Sequence, residues 1–278
     1  MYDRTKNHIF FGNCLKLMKN IENQSIDLVL CDLPYGTTKC KWDIVIPFHK
    51  LWKHYNRIVK ENGAIILFGT EPFSSTLRLS NLEMFRYDWY WEKSNGSNWR
   101  FANNQPLRVI EIASVFYKKQ PTYNPQKVKN PKGYLTMHLG NNPAKISKYS
   151  LQITGEPKKE IKNEKNKLKN FHGRNYEPDK LLPRQLVYFH SHIENRLHPT
   201  QKPIPLLEYL VKTYTNPGDL VLDHCAGSGT TGIACINTKR QFILMEKNPD
   251  YYKEIKKRID MYAIHHDGEY RAQISKTK

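Results

Sequence analysis

Two short turns in this 278-residue chain bring together residue types that could do chemistry. The first is Cys31-Asp32-Leu33-Pro34-Tyr35-Gly36. Pro34 fixes its own φ and biases Leu33 towards an extended conformation. The Asp32 carboxylate and the Leu33 carbonyl then become paired acceptors beside the ring of Tyr35. Such a constellation suits a planar group with an exocyclic NH₂, which offers two N–H donors and a face to stack. Read alone, the tetrapeptide is equally an ordinary Asx turn. The second turn is Asp223-His224-Cys225-Ala226-Gly227-Ser228-Gly229-Thr230-Thr231-Gly232. Its glycines let backbone pass close to a ligand, and the N–H groups of a following helix favour an anionic or polar group. Glu246 stands where a carboxylate accepts hydrogen bonds from both ribose hydroxyls of a nucleoside cofactor.

Both turns need strands ahead of them, because ligands sit outside the carboxyl ends of parallel strands. Short apolar runs at 26–31, 64–68 and 111–117 read as buried strands, with a weaker one at 85–91. Apolar residues recur at helical spacing across 47–60, and helices are expected at 204–214, 230–237 and 249–262. Strands at 220–223 and 241–245 flank the Gly-rich turn. Alternation of this kind predicts an α/β fold with a mostly parallel, doubly wound sheet covered on both faces. Gly227, Gly229 and Gly232 also match the dinucleotide pattern G-x-G-x-x-G, so a nicotinamide enzyme is a rival reading. Only one strand-length segment follows that unit, however, and it cannot open a six-stranded nicotinamide fold.

Charge points to the partner. Lys and Arg total 44 against 26 Asp and Glu, a net +18 that suits a polyanion. Residues 118–178 hold 14 Lys and Arg against 4 Glu, with Tyr123, Tyr134, Tyr149, Phe171 and Tyr176 interleaved. A basic and aromatic mixture suits nucleic acid, and Lys158, Lys159, Lys162 and Lys165 are the candidate phosphate contacts; the alternative is a solvated insert. Lys93, beside Trp91 after the 85–91 strand, either lines the same DNA-facing pocket or belongs to core and surface. Mean hydropathy is −0.70 and no apolar run spans a membrane, nor does the start carry the apolar core of a signal peptide. Five cysteines without a C-x-x-C pair suit free thiols in a reducing cytosol. His190, His192 and His198 have no second ligand cluster, so no metal site is expected.

In combination these features resemble the DNA amino-methyltransferases of the N4-cytosine/N6-adenine family, which use S-adenosylmethionine. Asp32-Leu33-Pro34-Tyr35 matches the family's target motif, Asp/Asn/Ser-Pro-Pro-Tyr/Phe. Asp223-His-Cys-Ala-Gly227-Ser228-Gly229-Thr230 matches its cofactor motif, Asp-Pro-Phe-x-Gly-Ser/Thr-Gly-Thr. His198-Pro-Thr200-Gln-Lys202-Pro203 matches a third signature that packs against the cofactor. The order of motifs is that of the β group, and the likeness runs from about residue 8 to 260. Leu33 replaces the first proline, His224 and Cys225 replace Pro-Phe, and Asn13 falls where relatives often carry an acid for the cofactor's adenine amino group.

The resemblance implies a class I methyltransferase sheet of seven strands, circularly permuted, with a basic inserted recognition region. It assigns residues 1–117 to the target-base half, 118–190 to target recognition and 191–278 to the cofactor half. It implies catalysis by Asp32, Leu33, Pro34 and Tyr35, and cofactor binding by Asn13, His198, Thr200, Lys202, Asp223, Gly227, Ser228, Gly229, Thr230 and Glu246. Double-stranded DNA is the implied substrate, in the cytoplasm of a prokaryote or its phage, with a homodimer and a cognate restriction endonuclease as candidate partners. An Asp at the first motif position goes mostly with N6 of adenine in the family; N4 of cytosine is the alternative. An RNA or protein amino-methyltransferase would share both turns, and a non-catalytic DNA-binding module would explain the charge alone.

Overall fold

The computed structural model describes residues 6–38, 40, 42–129, 180–191, 197, 198 and 200–265. The strands are β1 (His8–Phe11), β2 (Ile26–Asp32), β3 (Val59–Gly69), β4 (Phe85–Ser97), β5 (Arg108–Phe116), β6 (Val128–Lys129), β7 (Lys180–Leu181), β8 (Leu186–Phe189), β9 (Leu220–Asp223) and β10 (Gln241–Glu246). The α-helices are α1 (Cys14–Leu17), α2 (Phe48–Ile58), α3 (Phe73–Leu79), α4 (Ile204–Tyr214), α5 (Thr230–Thr238) and α6 (Pro249–His265). Eight strands form the main sheet in the order β1-β10-β9-β2-β3-β5-β4-β8. Only β5 runs against its neighbours; every other pairing is parallel.

The period of two along each strand divides the core into two layers. In β2, Leu28 and Leu30 point to one face and Val29 and Cys31 to the other; Ala64, Ile66 and Phe68 alternate with Ile65 and Leu67 in β3. The first face is covered by α4, α5 and α6 through residues such as Leu210, Ile233 and Ile259. The second is covered by α2 and α3, where Leu51, Trp52, Tyr55 and Ile58 make the apolar stripe of an amphipathic helix. Among the described residues no helix is long and apolar enough to cross a membrane.

One feature of this order positions the site. β2 and β9 lie side by side, with Leu28 opposite Val221 and Val29 opposite Leu222. From β2 the chain leaves through α2 towards β3, and from β9 through α5 towards β10, on the opposite face. This divergence opens a crevice beyond the carboxyl ends of the two strands. The seam is fastened at its other end, where Leu220 N donates to Asp27 Oδ2 at 3.0 Å.

The sheet has eight strands where seven were expected. The additional edge strand is β8, parallel to β4, from a segment placed by sequence in the basic insert. The chain forms two compact units, one of residues 1–124 and 184–278, the other of 125–183. Within the second, β6 and β7 pair antiparallel. Lys158, Lys159, Lys162 and Lys165 lie outside the described residues, as do Tyr134, Tyr149, Phe171 and Tyr176.

Candidate active site

A cavity of about 290 Å³ occupies the crevice, and both turns line it. Asp32, Leu33, Pro34 and Tyr35 border it from β2, and Asp223, Gly227, Ser228 and Thr230 from β9. Glu246 contributes from the end of β10, Asn13 from the start of α1, and His198, Thr200 and Lys202 from the segment before α4.

The β2 side is organised by charge. Tyr35 donates its hydroxyl to Asp32 Oδ1 at 2.5 Å, and Lys202 Nζ donates to Asp32 Oδ2 at 2.5 Å. Lys202 also lies 3.2 Å from Glu111 Oε2, and Lys93 lies 3.2 Å from Glu111 Oε1. Two acids and two ammonium groups thus alternate along one line of ion pairs. Burial alone would push the Lys202 ammonium down, but Asp32 and Glu111 outweigh it and raise its pKa. Burial would push the Glu111 carboxyl up, but Lys202 and Lys93 hold it below the usual carboxylate range. Asp32 goes the other way, since burial raises its carboxyl more than Lys202 lowers it. Downstream, Asp43 accepts the backbone N–H groups of Gly36, Thr37 and Thr38 at 2.7–3.0 Å, which fixes the chain leaving Tyr35. Those bonds outweigh burial and lower its pKa.

The β9 side is organised by backbone. Asp223 is buried and accepts from Thr231 Oγ1 at 2.6 Å and from Cys225 N at 3.1 Å, tying the turn to the first turn of α5. Glu246 accepts from Gly227 N at 2.9 Å and Asn248 N at 2.7 Å. Arg258 holds the far edge of the turn through Ser228 O at 2.8 Å. The glycines have separate reasons. Gly229 sits at φ +74°, where a Cβ would also come within 3.0 Å of Ile255 Cγ2. Gly232 lets α5 approach the sheet, since a Cβ there would lie 2.9 Å from both Ile259 and Leu244.

His198 lies between the two sides. Its ring meets Tyr251 edge-on at 4.4 Å, and its Nδ1 takes the Thr200 hydroxyl at 3.1 Å. Burial, helped by the nearby Lys202 charge, pushes its pKa down to about 4, so near neutral pH it is an uncharged aromatic wall. Burial pushes the Cys31 thiol up to about 12, so it offers no thiolate nucleophile.

Several sequence-based expectations need revision. Lys202, assigned to the cofactor, lines the cavity and pairs its ammonium with Asp32 and Glu111. Lys93, assigned to DNA, spends its charge on Glu111, and its side chain is only 11% exposed. Trp91 is core, with Nε1 donating to Phe189 O at 2.9 Å. Asn13, expected to face the cofactor with its amide oxygen, lines the cavity, and that oxygen also caps α1 through Leu15 N and Lys16 N. Gly229 does not line the cavity. Sequence reasoning missed Glu111, Asp43 and Arg258; a charged residue inside the apolar strand 111–117 was the available signal for the first. It also missed that Cys31, His224 and Cys225 converge, because their spacing in the sequence matches no ligand pattern.

The sheet order, the crevice at its centre and the Gly-rich turn leading into a helix define a class I methyltransferase fold, permuted so that the cofactor half comes last. The family model for DNA methylases, covering N6 and N4 enzymes, matches residues 26–257, more than four-fifths of the chain, which therefore belongs to that family. Among curated relatives, the type II methyltransferase M.HpaI of Haemophilus parainfluenzae is 25% identical over 90% of this chain and 73% of its own length. The DNA adenine methyltransferase YhdJ of Escherichia coli is 27% identical over 97% and 88% respectively. Among solved structures, the crystal structure of the M1.HpyAVI–SAM complex superposes with a TM-score of 0.57 at 22% identity, covering 90% of this chain and 98% of that one.

Proposed function

We propose that this protein transfers a methyl group from S-adenosylmethionine to N6 of adenine in duplex DNA, with the target base everted into the cavity. What carries the reading is that one cavity joins the Asp32–Tyr35 turn to the Gly-rich turn and Glu246. The donor set suits the methyl donor: a buried carboxylate for ribose hydroxyls, the Ser228 and Thr230 hydroxyls, and the ring of His198. Bound there, S-adenosylmethionine supplies an electrophilic sulfonium methyl.

The protein's part is to make a poor nucleophile reactive. The exocyclic amine of adenine delocalises its lone pair into the ring. Accepting its two N–H bonds at Asp32 and the Leu33 carbonyl favours a pyramidal nitrogen whose lone pair is free to attack. Each Asp32 oxygen already has one partner, Tyr35 or Lys202, yet a carboxylate offers about four acceptor sites, so room for the amine remains. Lys202 opposes the burial that would protonate Asp32, preserving the negative charge that stabilises the cation developing on nitrogen. Bond formation between nitrogen and methyl accompanies loss of the sulfur–methyl bond, and the surplus amine proton leaves to water. Eversion costs a few kcal/mol, offset in part by stacking on Tyr35.

Adenine is favoured over cytosine by Asp32 at the first motif position and by the adenine-specific relative. The family spans both bases, so N4 of cytosine is the second reading. The similarity to a type II methyltransferase supports a role beside a restriction endonuclease, and the basic and aromatic composition of 118–178 supports that stretch as the DNA reader. The test is mass spectrometry of nucleosides from DNA methylated by the purified chain. N6-methyladenine is expected; N4-methylcytosine alone transfers the same mechanism to cytosine, and neither product overturns the reading.

A further inference from the structure

Cys31, His224 and Cys225 form a cluster to which the proposed transfer assigns no role, although His224 and Cys225 also line the cavity. Cys31 lies in β2 immediately before Asp32, and His224-Cys225 follows β9 immediately after Asp223, so adjacent strands bring them together. His224 Nδ1 lies 3.4 Å from Cys225 Sγ and 3.8 Å from Cys31 Sγ, and the three ligand atoms fall within 4.8 Å of one another. The other ring nitrogen, Nε2, is 2.5 Å from the hydroxyl of Tyr55, which is completely buried.

The hydrogen bonds here are shared rather than paired: two thiols converge on one ring nitrogen, and the Cys14 thiol and the Asp223 carboxylate reach the same thiols. A single ion satisfies all three groups. Zinc holds thiolate sulfur at about 2.3 Å and imidazole nitrogen at about 2.0 Å, so a tetrahedron places sulfur and nitrogen about 3.5 Å apart. The two observed separations bracket that value. The second shell fits as well: with Nε2–H donating to the Tyr55 oxygen, the lone pair of Nδ1 faces the two sulfurs. Two thiolates cancel the charge of a divalent ion, which makes the site neutral and compatible with burial.

We propose that Cys31, His224 and Cys225 bind a thiophilic divalent cation of the zinc class, clamping the carboxyl end of β2 to that of β9. Each ligating thiol gives up its proton to solvent as the metal–sulfur bond forms. The clamp fastens the roots of both turns at the wall of the cavity, and three protein ligands leave the ion's fourth position to water or to the nearby Cys14 thiol.

The test titrates cobalt(II) into the reduced full-length chain, in a Cys40→Ser background because Cys40 is exposed. Thiolate-to-cobalt charge-transfer absorption is expected to saturate at one ion per chain. It should be lost in Cys31→Ser and in Cys225→Ser and retained in Cys235→Ser, whose thiol is buried elsewhere. Should those variants fail to fold, X-ray absorption of the cobalt-loaded parent gives the ligand set directly, with two sulfurs and at least one nitrogen expected. Absence of the charge-transfer band at one equivalent, or a first shell of oxygen and nitrogen alone, overturns the proposal.

Discussion

The two turns that meet in the cavity are held by opposite means. The Asp32–Tyr35 turn depends on side-chain charge: Lys202 and Glu111 reach it from the segment before α4 and from β5. The Asp223–Thr230 turn depends on backbone, with carboxylates accepting main-chain N–H groups and glycines admitting close approach. The difference suits the role proposed for each. A reacting amine needs a field tuned to a charge that appears only in the transition state. A nucleoside ligand needs a fixed shape, which backbone supplies.

Perturbations should therefore fall differently on the two sides. Asp32→Ala should lower kcat for methyl transfer by about 10²–10³-fold or more while leaving S-adenosylmethionine affinity nearly unchanged, by analogy with deleting one transition-state-stabilising group. Equal losses in both quantities, measured by single-turnover kinetics and isothermal titration, would break the contrast. Lys202→Met leaves Asp32 and Glu111 facing each other without their shared cation. Breaking a buried pair costs about 3–5 kcal/mol, which thermal or denaturant unfolding would detect. In the same variant the acid limb of the pH–rate profile should shift upward, because Asp32 must be ionised and burial already raises its pKa. A limb that moved to lower pH would exclude Lys202 as the group opposing that rise.

On the backbone side, Gly229→Ala places a Cβ at φ +74° against Ile255, and strain of this kind costs about 1–3 kcal/mol. Its signature should be weaker cofactor binding with kcat at saturation largely preserved; a kcat loss without a change in affinity would contradict the assignment. Substituting Lys158, Lys159, Lys162 and Lys165 together should touch neither turn. It should weaken DNA binding evenly across sequences and reduce the salt slope by about one for each phosphate no longer neutralised. An unchanged slope would make that stretch a solvated segment.

Both turns were legible in the sequence because each is contiguous and follows an apolar strand that announces it. The long strands and α2, α4, α5 and α6 were legible for the same reason, periodicity sustained over enough residues. β1 and β8 were not, since each is four residues long and, unlike the wholly buried apolar run of β9, mixes exposed with buried positions. The ion pairs around Asp32 were equally hidden. Lys202 and Asp32 are 170 positions apart, and nothing local to either marks the other. The same distance hid the partner of Lys202 and Lys93: their flanking motifs mark them as ligand contacts, and a buried Glu111 pairs with both. The capping role of Asn13 was hidden for a different reason: its amide suits both a cofactor contact and a helix cap, and the cap appears only in the fold.

The seam between β2 and β9 joins positions 193 apart, as the Asp27–Leu220 bond records. A growing polypeptide therefore completes the first strand long before its partner exists, and the pocket wall has to await synthesis of residues 220–246. Closing so large a loop ranks this pairing among the slower folding events, so methylating competence should emerge as a late, all-or-none step.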